Sequence, residues 1–316
     1  MSIPLVALVG PTGTGKSALS LRLVSALRER GDEVWVINAD AMQLYRGMDI
    51  GTAKLTRAER SVCPHHLFDL WPVTQEASVA DYQEAARAVI TEAFSQGAVP
   101  VLVGGSGLYV SSVLYAFDFP GTDPEVRHRL ELRLQREGSE SLARELAERD
   151  PEAAAAIDPR NARRVIRALE VIELTGEPFG AGLRARQTLW HEPTIVVGLE
   201  RERRALTQAL DERVQEMWRQ GLVEEVRLLR AEGLDSGVTA SQAIGYRQAI
   251  AFLDGQMSEQ EAIAETQSLT RRYARRQMSW FRRDPRVTWF KAEDADLPER
   301  VLRLMDQAGI DNSSSN

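Results

Sequence analysis

The chain has 316 residues, of which 43% are hydrophobic and 27% are charged, as in an ordinary globular protein. Its net charge of -7 excludes a global positive field, so a nucleic-acid partner would require a local basic patch. Cys63 is the single cysteine, which excludes an internal disulfide and a cysteine-built zinc site and favours a cytoplasmic location. We expect neither a signal peptide nor a membrane span, because no apolar run approaches the ~18 residues that a membrane helix needs.

A phosphate-binding motif lies close to the start of the chain. Residues 10–17 fit the pattern G-x-x-x-x-G-K-[ST]. They are Gly10, Pro11, Thr12, Gly13, Thr14, Gly15, Lys16 and Ser17. The apolar residues 3–9 before them predict a buried strand, and the apolar residues after them recur at helical spacing. Backbone N–H groups of such a loop hold an anion, Lys16 adds a point charge, and the Ser17 hydroxyl can ligate Mg²⁺. The motif alone fits ATP as well as other phosphates.

Strands and helices alternate in the next part of the chain. Residues 33–38 predict a second strand, and residues 41–56 predict an ordered loop with apolar anchors. A helix is expected from Ser78, as its N-cap, to Phe94, and another strand at residues 100–103. This alternation predicts an α/β fold with a P-loop NTPase-like parallel sheet flanked by helices.

The pattern changes near residue 118. From Asp123 to about Arg186 only helical periods occur, with helices expected at 123–137, 141–148 and 161–175. A strand at residues 194–199 then returns the chain to the sheet. Helices at 201–220, 223–231, 240–253 and 259–283, a small strand at 287–290 and a polar tail at 311–316 complete the prediction. We therefore predict an α/β core at 1–117 and 194–316, with a helical C-terminal part, and a helical insertion domain at 118–193.

Asp40 is the carboxylate best placed for chemistry. A phosphate loop is usually paired with an acid after another strand, but residues 101–103 run directly into Gly104-Gly105. Asp40 follows the second strand, and the carboxyl ends of parallel strands meet at the ligand crevice. We predict that Asp40 is a general base or a water-mediated metal contact; the alternative is a helix-capping or turn aspartate.

Two arginine-rich helices predict a polyanionic partner. In residues 271–283 the arginines fall within roughly 140° of one another on a helix, with Gln277 and Trp280 on the other side. These arginines are Arg271, Arg272, Arg275, Arg276, Arg282 and Arg283. Arg163, Arg164 and Arg167 form a second, weaker face. Like charges on one face of a helix repel one another unless an anion binds there. This favours binding of a phosphate backbone; the alternative is that the arginines are solvated or paired with carboxylates of the chain itself.

These motifs resemble those of the tRNA dimethylallyltransferase family over nearly the whole chain. The resemblance rests on G-P-T-G-T-G-K-S, N-A-D-A-M-Q-L-Y-R-G-M-D-I-G-T-A-K, V-G-G-S-G-L-Y, D-P-E-V-R, N-A-R-R-V-I-R-A-L-E-V, A-I-G-Y-R-Q and R-R-Q-M-S-W-F-R, in family order. The sequence departs from the family at Ser106, where threonine is usual, and at Ala41, where serine is common. With a single cysteine, we expect no zinc-finger extension of the kind found in eukaryotic members, which is consistent with a bacterial form.

The resemblance implies transfer of a dimethylallyl group from its diphosphate to N6 of the adenosine 3′ of the anticodon, in tRNAs that read U-initial codons. It implies that residues 10–17 bind the isoprenoid diphosphate instead of ATP, with Mg²⁺ near Ser17. Asp40 then matches the base that takes the N6 proton, Thr12 the loop hydroxyl beside it, and Arg213 an arginine that stabilises the leaving diphosphate. The adenine is expected to flip out of the anticodon loop.

The resemblance also assigns contacts with the tRNA anticodon stem-loop, which the insertion domain would grip. The residues concerned are Asp40, Ala41, Met42, Gln43, Ser106, Arg127, Arg163, Arg164, Val165, Ile166, Arg167, Gly245, Tyr246, Arg247, Arg275, Arg276, Gln277, Trp280 and Arg282. No membrane and no protein partner are implied, and a monomer is expected because nothing resembles a coiled-coil seam.

Three alternatives remain open from the residues alone. The first is an isopentenyltransferase acting on free AMP or ATP, which has no need for two arginine faces. The second is a small-molecule kinase, which needs a Mg²⁺-partnered acid and mobile arginines. The third is a non-enzymatic P-loop protein that binds RNA.

Overall fold

The computed structural model describes residues 3–179 and 188–313, with side chains described as far as residue 308. The chain divides into two compact units. Met1–Leu114 and His191–Asn316 form the first, here called the core unit. Tyr115–Trp190 form the second, here called the inserted unit. The sequence-predicted helical block extended to about Arg186, and its part at 180–187 lies outside the described residues.

The core unit contains a parallel sheet, which has six strands in the part of the chain that the structure describes. The strands are β1 (Leu5–Val9), β2 (Val34–Asn38), β3 (His65–His66), β4 (Val99–Gly104), β5 (Thr194–Glu200) and β6 (Val287–Lys291). Their order is β3-β2-β4-β1-β5-β6. Val6 of β1 pairs with Val101 on one side and with Ile195 on the other. Because β1 is central and covered on both faces, it is a continuous apolar run, as predicted.

Helices α1 (Lys16–Glu29), α2 (Arg57–Arg60) and α3 (Val79–Ser95) connect the first four strands, and α4 (Gly107–Leu114) follows β4. The predicted N-cap of α3 is confirmed, since the Ser78 hydroxyl accepts a hydrogen bond from the N–H of Asp81 at 3.2 Å. Helix α4 was not predicted.

The inserted unit is helical within its described residues. It contains α5 (Pro124–Glu137), α6 (Ser139–Arg149), α7 (Pro151–Ala156) and α8 (Ala162–Thr175). Asp123 and Asn161 cap α5 and α8, and Gly176 ends α8 in the left-handed region. Leu130, Leu146 and their neighbours form an apolar core that belongs to this unit alone. The short α7 was not predicted.

The C-terminal part of the core unit is mainly helical. It contains α9 (Arg203–Arg219), α10 (Leu222–Ala231), α11 (Tyr246–Leu253), α12 (Glu259–Phe281) and α13 (Leu297–Ser313). Short 3₁₀ turns lie at Leu234–Ser236 and Ala240–Gln242. The return to the sheet at β5 and the small strand β6 are confirmed.

Two predictions for the C-terminal part were wrong. The single helix expected at 240–253 is broken, because Gly245 has a φ of 93°, which no right-handed helix accommodates. Residues 311–313 were expected to belong to a polar tail, but they form the end of α13, a helix that was not predicted. Leu297, Val301 and Leu302 of α13 belong to the same apolar cluster as the inward side chains of α1.

Candidate active site

The phosphate loop lies between β1 and α1, as the sequence predicts. Gly10 has a φ of 133°, and a Cβ there would lie 2.5 Å from the carbonyl oxygen of Leu199, so only glycine fits. Gly15 occupies the N-cap of α1 in the left-handed region, with no side chain capping the helix. The first N–H groups of α1 are therefore available to an anion.

A cavity of about 200 Å³ lies against this loop and brings the predicted catalytic residues together. Its lining includes Thr12, Gly13, Gly15, Lys16, Ser17, Asn38, Asp40, Gln43, Thr52, Ala53, Gly104, Gly105 and Arg213. These residues come from the phosphate loop and the start of α1, from the carboxyl ends of β2 and β4, from the loop after β2 and from α9. The prediction that Asp40 faces the same crevice as the phosphate loop is confirmed.

Lys16 is a half-buried cation in this cavity. Its Nζ donates a hydrogen bond to the carbonyl oxygen of Pro11 at 2.7 Å. Burial lowers the pKa of Lys16 from 10.5 to about 8, although the negative charge of Asp40 opposes the shift and the positive charge of Arg213 adds to it. An anion bound beside Lys16 would supply the missing opposite charge.

Asp40 is oriented by the turn that follows β2. Its Oδ1 accepts the N–H of Met42 at 3.0 Å, and its own N–H donates to Oδ1 of Asn38 at 3.0 Å. Asn38 in turn donates to the carbonyl oxygen of Leu67 at 3.0 Å. Asp40 is thus a turn aspartate, as the alternative interpretation of this residue expected. The same side chain also lines the cavity, so the turn does not remove it from the candidate site.

Arg213 reaches the cavity from the middle of α9. Its guanidinium lies 3.4 Å from the carbonyl oxygen of Thr52, in the loop after β2. Burial lowers the pKa of Arg213, and Asp40 opposes that shift. The side chain nevertheless stays protonated, because arginine titrates far above neutral pH. The residues alone gave no signal for Arg213, which was identified only by the resemblance.

The loop after β2 is held by a buried lysine that the sequence analysis missed. Lys54 Nζ lies 2.7 Å from carboxylate oxygens of both Asp49 and Asp69, and 2.8 Å from the carbonyl oxygen of Tyr45. Ala41, Met42 and Gln43, three of the predicted tRNA contacts, lie half-buried at the start of this loop.

Ser106 lies at the junction of three segments. Its hydroxyl accepts the N–H of Ala41 at 3.1 Å and lies 3.3 Å from the hydroxyl of Tyr273 on α12. The hydroxyl that the family usually supplies from threonine is therefore present here, and it ties the loop after β2 to α12.

Helix α12 has the two faces that its sequence predicts. Arg272, Arg275 and Arg276 are exposed on one side. Gln277 is buried on the other, where its Oε1 accepts the N–H of Thr12 at 2.9 Å and its Nε2 donates to the carbonyl oxygen of Gly105 at 2.8 Å. Gln277 was predicted to bind tRNA; in this structure its amide contacts the phosphate loop.

The remaining residues of this segment differ in their surroundings. Trp280 donates its Nε1–H to the hydroxyl of Ser111 at 3.1 Å. Arg271 is paired with Asp211, and Arg282, which lies just beyond α12, pairs with Glu200 at 3.1 Å. Some of the predicted arginine face thus pairs with carboxylates, as the alternative interpretation proposed.

Three predicted tRNA contacts at the start of α11 are also unequal in exposure. Gly245 and Tyr246 are buried, whereas Arg247 is exposed. A buried side chain has no direct access to an RNA, so Arg247 is the one best placed for a contact.

In the inserted unit, a buried carboxylate organises two of the predicted arginines. Glu170 is fully buried and accepts hydrogen bonds from Arg127 at 3.0 Å and from Arg167 at 2.9 Å. Arg163 and Arg164 are exposed. The predicted contacts Val165 and Ile166 are buried in the core of this unit.

The donor atoms suit a metal that arrives with a phosphate group. Among residues 3–179 and 188–308, no group of three or more His, Cys, Asp and Glu side chains is arranged to hold a metal ion. Ser17 and Asp40 line one cavity and offer two oxygen donors. Mg²⁺ is typically held by one or two protein oxygens together with substrate phosphates and water, so these residues fit it.

No helix in the described part of the chain has the length and apolar character required to cross a bilayer.

Comparison with known proteins identifies the family. The family model described as IPP transferase matches residues 43–284. The tRNA dimethylallyltransferase of Thermobifida fusca (strain YX) is 55% identical over 300 residues, covering 95% of this chain and 93% of that protein. That of Clavibacter sepedonicus is 54% identical over 305 residues, covering 96% and 99%. The crystal structure of the full-length tRNA isopentenylpyrophosphate transferase from Bacillus halodurans has a TM-score of 0.70 and 39% identity, covering 98% of this chain and 99% of that one. The chain therefore belongs to the IPP transferase family of tRNA dimethylallyltransferases.

Proposed function

We propose that this protein transfers a dimethylallyl group from dimethylallyl diphosphate to N6 of the adenosine 3′ of the anticodon, in tRNAs that read U-initial codons. The observation that carries the proposal is the cavity that combines an anion-binding loop, two half-buried cations and one carboxylate. Those are the groups required to hold a diphosphate leaving group and to accept a proton next to it.

In the reaction, N6 of adenine attacks C1 of the allyl group as the bond between C1 and the diphosphate oxygen breaks. The electron pair of that bond leaves with the diphosphate, and the loop N–H groups, Lys16 and Arg213 stabilise the growing negative charge. Asp40 accepts the proton that N6 loses, which leaves a neutral secondary amine. Mg²⁺, held by the Ser17 hydroxyl, would supply further charge neutralisation on the diphosphate. Thr12, which also lines the cavity, would contact the reacting groups.

The adenine reaches this cavity only when it leaves the stacked anticodon loop. We propose that the exposed arginines of α12 bind the RNA backbone and that the inserted unit contributes Arg163 and Arg164. Dimethylallyl diphosphate, rather than ATP, is the proposed ligand of the phosphate loop. A monomer acting in the cytoplasm, where tRNA is modified and where the single Cys63 remains reduced, completes the proposal.

A transfer assay tests the proposal directly. Purified protein, Mg²⁺ and labelled dimethylallyl diphosphate are incubated with an anticodon stem-loop carrying A-A-A after the anticodon, or with AMP. We expect label in the RNA, and its loss when the target adenosine is replaced by guanosine. Label in AMP alone would identify a free-nucleotide prenyltransferase instead.

The exposed arginines of α12 predict a salt-dependent RNA affinity. Replacing Arg276 with Ala should weaken stem-loop binding about three- to tenfold and lower the slope of log K against log[salt] by about one, because one phosphate contact is lost. Equilibrium binding over a range of salt concentrations measures both. The matched control is Arg303→Ala on α13, a side chain that is 61% exposed, which should leave the slope unchanged. An unchanged slope for Arg276→Ala would place the RNA elsewhere.

The lowered pKa of Lys16 predicts that ligand binding takes up a proton. Below pH 8 Lys16 is protonated in the free protein, and above about pH 8 it loses its proton, since its pKa is about 8. A bound diphosphate favours the ammonium form and raises this pKa, so the affinity should fall by up to about tenfold per pH unit above pH 8. Calorimetric titration with a non-reactive analogue of dimethylallyl diphosphate, in two buffers of different ionisation enthalpy, measures the uptake.

The control for this measurement is Lys16→Arg, which retains its charge throughout the range. It should show only the proton uptake that belongs to the ligand itself. Equal uptake by both proteins would mean that Lys16 does not titrate on binding.

A further inference from the structure

A half-buried carboxylate on α10 binds the turn at Asp49–Gly51. Oε2 of Glu225 accepts the N–H of Asp49 at 3.1 Å and that of Ile50 at 2.7 Å, and Oε1 accepts the N–H of Gly51 at 3.3 Å. Three consecutive backbone N–H groups thus converge on one carboxylate. Bonds to an ionised acceptor are stronger than neutral ones, so this contact fixes the backbone of the turn.

Tyr246 completes the contact from α11. Its hydroxyl donates to Oε1 of Glu225 at 2.5 Å. The ring packs directly on the turn, because a Cβ at Gly51 would lie 2.4 Å from Cε2 of Tyr246. Burial, together with the negative charge of Glu225, raises the pKa of Tyr246 far above its ordinary value, so the phenol remains a hydrogen-bond donor. Glu225 and Tyr246, here called the turn clamp, leave the turn little freedom.

The residue that follows the turn enters the candidate active site. Thr52 and Ala53 line the cavity beside the phosphate loop. The carbonyl oxygen of Thr52 accepts a hydrogen bond from Gln43 Nε2 at 3.1 Å and lies 3.4 Å from the guanidinium of Arg213. The position of this carbonyl therefore orients Arg213, whose proposed partner is the leaving diphosphate.

We propose that Glu225, supported by Tyr246, is a positioning residue for the transfer reaction. It holds the turn at 49–51 so that the carbonyl oxygen of Thr52 aligns Arg213 in the cavity. The inference rests on the proposed function for its kinetic consequence, whereas the geometry of the turn is independent of it. It also gives Tyr246 a role other than RNA contact, in agreement with its burial.

Glu225→Gln tests the inference. The amide has one acceptor oxygen where the carboxylate has two. Its NH₂ group would face backbone N–H groups, to which it cannot offer an acceptor. We expect the KM for dimethylallyl diphosphate to rise, or kcat to fall, by about tenfold or more. The dissociation constant for the stem-loop, measured without the diphosphate, should stay within about twofold. Hydrogen exchange of a peptide covering residues 44–56 should accelerate, while exchange in β1 and β4 stays unchanged.

Two further variants show whether the effect is specific to the turn clamp: one is a control on the same helix, and the other removes only part of the contact. Glu224→Gln alters an exposed acid on the same helix, 58% exposed and paired with Arg227, and should change none of these quantities. Tyr246→Phe removes a single hydrogen bond and should give a smaller change in the same direction, so the test survives if Glu225→Gln folds poorly.

Two results would overturn the inference. One is accelerated exchange at 44–56 with unaltered kinetics, which would make the clamp purely structural. The other is a loss of RNA affinity with an unaltered kcat and an unaltered KM for the diphosphate, which would return Tyr246 to the RNA interface. Absence of transfer by the unaltered protein would instead contradict the proposed function, and the exchange measurement would still report on the clamp.

Discussion

Replacing Asp40 with Asn should slow prenyl transfer severely but leave the stem-loop bound with nearly unchanged affinity. We expect the single-turnover rate to fall by a factor of ~10²–10⁴, the contribution usual for a general base. The asparagine oxygen can still accept the N–H of Met42, so the turn after β2 is retained and the proton acceptor alone is lost. Rapid-quench transfer with both substrates saturating measures the rate, and equilibrium binding without the diphosphate measures the affinity.

The control for this variant is Asp32→Asn, which alters an exposed aspartate in the turn before β2. It should leave both the rate and the affinity unchanged. Transfer by Asp40→Asn at the rate of the unaltered protein would exclude Asp40 as the base. A parallel loss of RNA affinity would show that the carboxylate acts through RNA binding instead.

Replacing Arg213 with Gln should lower kcat/KM for dimethylallyl diphosphate by a factor of ~10²–10³, the usual effect of removing one donor from a developing negative charge. Glutamine retains an N–H donor for the carbonyl oxygen of Thr52 but carries no charge, so loss of charge stabilisation dominates. RNA affinity should not change, because Arg213 lines the cavity and is not part of the exposed face of α12.

Steady-state kinetics with each substrate varied in turn separates these effects. Arg219→Gln is the matched control, since this arginine lies on the same helix, is 69% exposed and pairs with Glu216. A similar loss of kcat/KM in both variants would mean that α9 tolerates no substitution and that Arg213 has no special role.

Features encoded by local pattern could be predicted from the sequence. The apolar runs of β1, β4 and β5 identified the buried strands, and the glycine-rich motif between β1 and α1 identified the anion site. The position of Asp40 in the crevice followed from a general property of parallel sheets. The N-caps Ser78, Asp123 and Asn161 mark helix starts in short stretches of sequence, so these boundaries were close to correct.

Features created by long-range contacts could not be predicted in this way. The hydrogen bond between Thr12 and Gln277 joins residues 265 positions apart, and Gln277 on an arginine-rich helix gave no sign of it. The approach of Arg213 to the cavity depends on the packing of α9, which periodicity does not determine. Strand β3 is the pair His65–His66, which no hydrophobic pattern marks. Helix α13 was not predicted, although its buried residues Leu297, Val301 and Leu302 lie at helical spacing.

The position of α13 has a consequence for how the chain is made. The apolar side of α1, including Leu19, Leu23 and Leu27, packs in the cluster to which α13 also contributes, yet α1 is synthesised long before α13. The central pairing of β1 with β5 likewise waits until residue 200 has left the ribosome. The inserted unit, whose apolar core draws on its own residues alone, can fold first. The apolar side of α1 therefore lacks the cover of α13 until residues 297–302 have been translated, and a product that stops before residue 297 leaves that surface exposed to chaperones and proteases.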